Sequence, residues 1–450
     1  MKKVILLAAA VPMLVRGEIP EKAAALRDSA LQDEVAWSIT EGLTTEVGQR
    51  LAATEAEARA RDWAVARLKA LGFSNVRIEP FTMDGWVRGE EKAEIISPFP
   101  QRLIVAALGG SASTGSGGIT AQIVGFPSLD ALKAASPDEV KGKIVFVWHR
   151  MQPTQDGSGY GMFGPIRWYG ASVASKKGAA AIIIRSIGTD HHRIAHVGST
   201  NFEAGVKPIP AGALSVPDAD NLERMLARGK PVSMRLTLTP QFTGPRQSGN
   251  VVAEVPGRDP TLPMILIGGH LDSWDLGTGA IDDAAGIAIT TAAAKRIMDA
   301  GRPLRTIRVV WFGAEEEGGL GAEAYFKAHG SEAHALVGES DFGADRIWQF
   351  KMNTGAGGNV VKARIGALLA PLGIVTGSGE AHAGTDVEPV ANAGAGVLGL
   401  NQDGTHYFEL HHTPDDTLDK IDPEALRQNV AAWTAALAVA ADSPDDLRAK

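Results

Sequence analysis

Cysteine is absent from the 450-residue chain. That excludes disulfide scaffolds, thiolate nucleophiles and any zinc site built with sulfur, so a metal would have to sit among histidine and carboxylate. Positive charge is in deficit, 44 Lys and Arg against 52 Asp and Glu, which leaves a net charge of −8. Nucleic acid is thereby excluded as an expected partner, because phosphate binding needs a basic face. A membrane-spanning run is lacking as well: the apolar stretch Val4 to Val15 falls short of the ~20 residues a transmembrane helix needs. Preceded by Met1-Lys2-Lys3, it matches a secretory signal peptide, expected over residues 1–17, although Val15, Arg16 and Gly17 offer no small-x-small cleavage site. The expected mature protein is secreted or periplasmic, with no stable membrane insertion.

What is present is the composition of a soluble globular protein, 44% hydrophobic and 21% charged. A chain of this length exceeds what one hydrophobic core organises, so two domains are expected. Thr54 to Leu71 reads as an amphipathic helix: Thr54 and Glu57 have capping-box spacing, Ala60, Ala64, Leu68 and Leu71 form a stripe, and Gly72 can end it. Strand-like segments begin at Val76, Ile78 and Phe81, and again at Ile95 and Ile96.

Gly109 to Gly118, rich in Gly, Ser, Ala and Thr, reads as a linker, and Pro240 to Gly249 as a second boundary. Between them lie short strands: Lys143 to Val147, Ala180 to Ile184, and the alternation of Val232, Met234, Leu236 and Leu238. After Asn250 the texture becomes α/β. Met264–Ile267 and Thr306–Phe312 suit strands buried on both faces, Ala284–Met298 suits the helix between them, and Asp422-Pro423 opens the last helix. The expected fold is an α/β three-layer sandwich, a mostly parallel mixed sheet between helices, with an inserted mainly-β domain. The expected boundaries are 18–110 for the first part of the larger domain, 111–245 for the insert and 246–450 for the second part.

Carboxylates and histidines gather where buried strands end, the place open α/β sheets offer to ligands. His270 and Asp272 lie two apart at a strand end and share a face, so His270 can bind metal while Asp272 orients it. Asp282 and Asp283 open a helix after a glycine-rich loop. Either could be a simple N-cap, but a carboxylate bridging two cations would offset their repulsion, and Asp282 is the better placed. Glu315, Glu316 and Glu317 follow a core strand. One can ligate a metal and another take a proton from water, and spacing alone leaves open which does which.

Taken together, Gly268-Gly269-His270-Leu271-Asp272-Ser273-Trp274-Asp275, Gly279-Ala280-Ile281-Asp282-Asp283, Ala314-Glu315-Glu316, Glu339-Ser340-Asp341 and His411-His412-Thr413 with Asp416-Thr417 resemble the co-catalytic dizinc aminopeptidase family. The similarity is to its plasma glutamate carboxypeptidase (carboxypeptidase Q-like) branch and runs from about Gly48 to the end. It implies two zinc ions, one on His270 and Asp341, the other on Glu316 and His412, with Asp282 between them. It further implies Glu315 as general base, Asp272 as the aspartate behind the ligands, and a cis peptide at Asp282–Asp283. Thr385, Asp386 and His411 would face the substrate.

The resemblance extends to the insert. Lys141-Gly142-Lys143-Ile144-Val145, Lys177-Gly178-Ala179-Ala180 and Ile209-Pro210-Ala211 are similar to the landmarks of protease-associated domains, which cover a cleft without doing chemistry. His191, His192 and His196 inside it are expected at the surface or cleft, not on metal. The implied reaction is removal of a terminal residue from a short peptide, as an aminopeptidase or dipeptidase, and a homodimer is implied as well. A receptor-like binding protein on the same scaffold would lack ligands, whereas every matched ligand and the base are present. A glutaminyl cyclase-like transferase is the other rival, and the protease-associated insert argues for hydrolysis.

Overall fold

The computed structural model describes residues 20–449, so the expected signal peptide at 1–17 lies outside the described residues. They form two eight-stranded sheets. In spatial order the main sheet holds Ser74–Val87, Gln241–Val255, Ile307–Phe312, Met264–His270, His334–Glu339, Gly396–Gln402, Ile347–Asn353 and Val375–Thr376. The four strands from Ile307–Phe312 to Gly396–Gln402 pair in parallel, with antiparallel neighbours on both sides.

Strand periodicity divides the apolar side chains between two faces. Ala253, Ile265, Ile267, Val309 and Trp311 pack with the helices Ala285–Asp299 and Pro423–Ala440, while Val252, Leu266, Val310 and Phe312 pack with Tyr325, Val387 and Val390 on the other side. Helices therefore cover both faces of a mixed sheet, as expected. The helix expected from Thr54 to Leu71 spans Glu55–Ala70, with the Thr54 side chain accepting from the Glu57 N–H. Glu57 does not close a capping box. It is fully buried, ion-paired to Arg61, and accepts a bond from the Ser248 hydroxyl at 3.0 Å.

The second sheet runs Gln101–Leu103, Glu91–Ser97, Ser233–Leu238, Ile119–Phe126, Ile144–Val147, Ala181–Arg185, Ala211–Leu214 and Val105–Ala107. Three expectations change here. Residues 91–107, placed by composition in the first part of the larger domain, pair inside the second sheet, with Ala93 opposite Leu236 and Val105 opposite Leu214. Gly109 to Gly118 is then a loop within that unit, not its border. Pro240 to Gly249, expected as a second border, is a strand: Gln241–Val255 pairs along Ser74–Val87, with Pro245 opposite Asp84. Only Val251–Val255 also pairs on the far side, so Pro245 sits where no second partner needs its missing N–H. Finally, the unit is not mainly β, because the helices Leu129–Ala134, Ser158–Lys176 and Val216–Leu226 pack with its strands. The three glycine- and proline-containing landmarks lead into its adjacent parallel strands Ile144–Val147, Ala181–Arg185 and Ala211–Leu214.

Candidate metal centre

His270 ends a central parallel strand and is 1% exposed. Its Nδ1 lies 2.9 Å from the backbone carbonyl of Asp272, which leaves Nε2 to face Asp282 Oδ1 at 3.0 Å and Asp341 Oδ1 at 3.5 Å. His412 is fixed similarly. Its Nδ1 lies 3.1 Å from the Val197 carbonyl, and Nε2 faces Asp282 Oδ2 at 3.2 Å and Glu316 Oε2 at 3.0 Å. Asp282 thus turns one oxygen toward each histidine.

The expected cis peptide is present between Asp282 and Asp283. Asp283 caps instead of ligating: Oδ1 accepts from the Gly286 N–H at 3.1 Å and Oδ2 from the His270 N–H at 3.1 Å. Position 286 must be glycine, because a Cβ there would lie 2.1 Å from Asp283 Oδ1 and 1.8 Å from the Ser340 carbonyl. Asp272 meets His270 through its backbone carbonyl, not chiefly through its carboxylate. Its carboxylate is 3.7 Å from His270 Nδ1 and instead accepts from the N–H groups of Glu315, at 3.1 Å, and Glu316, at 3.3 Å. It holds the glutamate turn, which follows Ala314 at a left-handed φ of 55°. His412 is also left-handed, with φ 61°, so non-glycine backbone strain falls on both sides of the site.

Glu315 and Glu316 line a cavity of about 420 Å³ with Asp282, Asp341, Thr385, His411 and His412. Glu317 and Asp386 do not line it. Asp386 is 1% exposed, and its backbone N–H bonds Glu339 Oε2 at 2.7 Å. His411 stacks on His412 with ring centres 3.5 Å apart and stands 3.7 Å from Asp282 Oδ2. Burial pushes the Glu315 carboxyl up to about 8. It works against charge on His412 too, but Glu316 and Asp282 prevail and raise that imidazole to about 9.

The donor set fits dications. Asp282 Oδ2, Glu316 Oε1 and Asp341 Oδ1 are buried without a hydrogen-bond partner, an arrangement that is costly unless a cation answers it. His270, Asp282 and Asp341 converge as one possible metal group, and Asp282, His411 and His412 as another, sharing Asp282. Imidazole with carboxylate is the donor chemistry of catalytic zinc.

Three residues that sequence reading missed hold this frame. Arg50, fully buried, donates to the carbonyls of Gly48, Leu271, Thr278 and Gly279. Trp274 donates its indole N–H to Glu316 Oε2 at 2.7 Å. His196, expected at the surface or cleft, is 2% exposed, with Nε2 2.6 Å from Asp190 and Nδ1 2.9 Å from the His411 carbonyl, whereas His191 and His192 are exposed as expected. Trp274 sits within a quoted motif, but arginine and histidine bonded to distant carbonyls leave no sequence pattern.

Residues 250–437 match the model of peptidase family M28. Carboxypeptidase Q from Bos taurus is 34% identical over 403 residues, 89% of this chain and 84% of that protein. The Homo sapiens protein of the same name is 33% identical over 90% of this chain and 85% of its own. A crystal structure of a peptidase M28 precursor from Shewanella amazonensis SB2B superposes with a TM-score of 0.92 at 47% identity, covering 95% of this chain and 98% of that one. BSAP, a zinc aminopeptidase from Bacillus subtilis, shares the fold with a TM-score of 0.63 at 22% identity, covering 93% and 95% of the two chains. With a match to the human and bovine proteins over about nine-tenths of the chain, and the same fold in the Shewanella structure, this protein belongs to peptidase family M28.

Proposed function

We propose that the chain is a zinc-dependent exopeptidase that removes a terminal residue from short peptides with a pair of zinc ions. His270 and Asp341 would hold one ion, Glu316 and His412 the other, and Asp282 would bridge them. One observation carries this reading: the two oxygens of Asp282 face different imidazole Nε2 atoms, at 3.0 and 3.2 Å. When bound, the zinc ions polarise the scissile carbonyl and lower the pKa of water toward about 7.

The protein's own groups do the rest. Glu315 stands in the cavity beside Asp282, Glu316 and Asp341, free to take a proton from the attacking water and return it to the leaving amine. Asp272 keeps it there through the backbone bond at 3.1 Å. Trp274 leaves Glu316 Oε1 as the unpartnered oxygen. The second region, with the landmarks of a protease-associated domain, forms one wall of the cavity through Tyr160, Arg167 and Trp168.

The basic and apolar start of the chain supports export to the periplasm or beyond, and among the described residues no helix is long and apolar enough to cross a membrane. Metal analysis with a peptide-digest assay tests the reading. About two zinc per chain and chelator-sensitive release of single terminal residues are expected. A metal-free, inactive protein, or cleavage untouched by chelator, would refute it.

A further inference from the structure

We propose that the second region completes one of the two zinc positions, that of Glu316 and His412, with His196 as the residue that positions His412; the assignment rests on the dizinc reading above. The two positions are held in different ways. His270 is fixed by its own part of the chain. Its Nδ1 faces the Asp272 carbonyl at 2.9 Å, its N–H donates to Asp283, and its strand pairs on both sides within the main sheet. Asp341 follows the adjacent strand, where the Ser340 N–H donates to the Gly268 carbonyl at 3.1 Å.

His412 depends on the other region. A ring that offers Nε2 to a cation keeps its proton on Nδ1, and that N–H needs an acceptor. Here the acceptor is the Val197 carbonyl, at 3.1 Å, and the other polar group beside Nδ1 is Arg167 Nη1, at 2.9 Å. The backbone is held from the same side: the Val197 N–H donates to the His412 carbonyl and the Thr189 N–H to that of Phe408, both at 3.0 Å. Within the main region the bonds of this turn are short-range, from the His411 N–H to the Tyr407 carbonyl and from the Thr413 N–H to that of Leu410. Such local bonds shape a turn without fixing where it stands. His412 also carries its left-handed φ of 61°, a conformation that a surrounding frame must impose.

His196 supplies the side-chain part of that frame. A carbonyl only accepts, so His196 donates from Nδ1 to the His411 carbonyl, at 2.9 Å. The ring is fixed from every side: Nε2 lies 2.6 Å from Asp190 Oδ1, the His196 N–H donates to the Ser186 hydroxyl at 2.9 Å, and a Cβ at Gly188 would come 2.3 Å from the ring. Both His196 and Asp190 are buried, so water does not compete for these bonds. Glu316 is reached in a similar way. Its partner Trp274 shares an apolar cluster with Ala195 and Val197, and Gly109 leaves room for the indole, since a Cβ there would lie 2.2 Å from it. Among the described residues, His270 and Asp341 make no hydrogen bond to the second region.

Chelator competition for zinc tests this in two single-site backgrounds. Asp341→Asn leaves the position of Glu316 and His412, and Glu316→Gln leaves that of His270 and Asp341. In the first, adding His196→Leu should weaken zinc binding about 10- to 100-fold, the usual cost of removing a group behind a ligand. His196→Asn, whose amide nitrogen can stand where Nδ1 does, should recover most of that loss. In the second background neither change should move the affinity. Should His196→Leu fail to fold, Gly188→Ala pushes the same ring aside and is expected to give the same pattern.

Equal weakening in both backgrounds would overturn the assignment, because it marks general damage to the fold. No weakening in either would overturn it as well, and so would an Asn variant as weak as the Leu variant. Site-selective loss in a protein that cleaves no peptide would leave the assignment standing and bring down the exopeptidase reading. Peptide cleavage by a two-zinc enzyme without that selectivity would do the reverse.

Discussion

The two regions contribute opposite chemistry to one cavity. The main region supplies Asp282 from the turn opening a helix, Glu315, Glu316 and Asp341 just past strand ends, and His411 and His412 after the short helix Tyr407–Leu410. The second region supplies aromatic rings and a fixed cation, Tyr160, Trp168 and Arg167, from one helix. The contrast teaches that the acidic and imidazole groups and the wall facing them can be built separately and meet only in the folded chain. The meeting is intimate: His412, from the main region, accepts the Val197 N–H with its carbonyl at 3.0 Å.

Breaking the main side should have the largest effect. Glu315→Gln should retain about two zinc by elemental analysis while kcat falls by about 10²–10⁴-fold, the usual worth of a general base; unchanged turnover would end that role. Trp274→Phe comes next, because the indole belongs to the main chain's motif but packs in the second region's core. Loss of its bond to Glu316 should weaken zinc binding about 10- to 100-fold in chelator competition, as removal of a group behind a ligand typically does. Identical affinity would show that the carboxylate is held by other means.

The smallest effect should be confined to the second region and to acid. His149 is buried, stacked on Phe163 at 4.5 Å, and its pKa is pushed down to about 3 by burial and then by Arg185. The unfolded chain takes up this proton near about 6.5, so unfolded protein binds more protons between the two values and folded stability drops as pH falls through that window. The slope from this one group is at most about 1.4 kcal/mol per pH unit. His149→Phe should flatten it, as measured by denaturant unfolding at neutral and acid pH. Parallel curves for variant and wild type would exclude the histidine as the cause.

Much of the main region was legible because the motifs around His270, Glu315 and Asp341 follow strand ends, and buried parallel strands announce themselves as apolar runs. Thr54, Asp422 and the alanine-rich helix Ala285–Asp299 obeyed local rules, and the structure agrees within a residue or two. The borders of the second region were not legible. Composition marked Gly109 to Gly118 and Pro240 to Gly249, whereas strand pairing decides membership, and a proline on a one-sided stretch of strand looks like a linker. Nor could Arg50, Arg167 or His196 be found, since their partners are carbonyls or rings hundreds of residues away or on another element. Asp272 was expected to orient His270; its carbonyl does face that ring, while its carboxylate serves the glutamate turn, a division that spacing does not encode.

The paired strands Ser74–Val87 and Gln241–Val255 carry one further consequence. Val87 lies directly opposite Gln241, so the chain leaves for the second region and comes back at adjacent points. A two-residue turn of the kind that closes hairpins could join those points and excise everything between. The truncated protein would keep all eight strands of its main sheet and every proposed zinc ligand, at the cost of uncovering Trp86. Such a splice would be a miniature hydrolase whose cavity opens to water on the side that Tyr160, Arg167 and Trp168 now close.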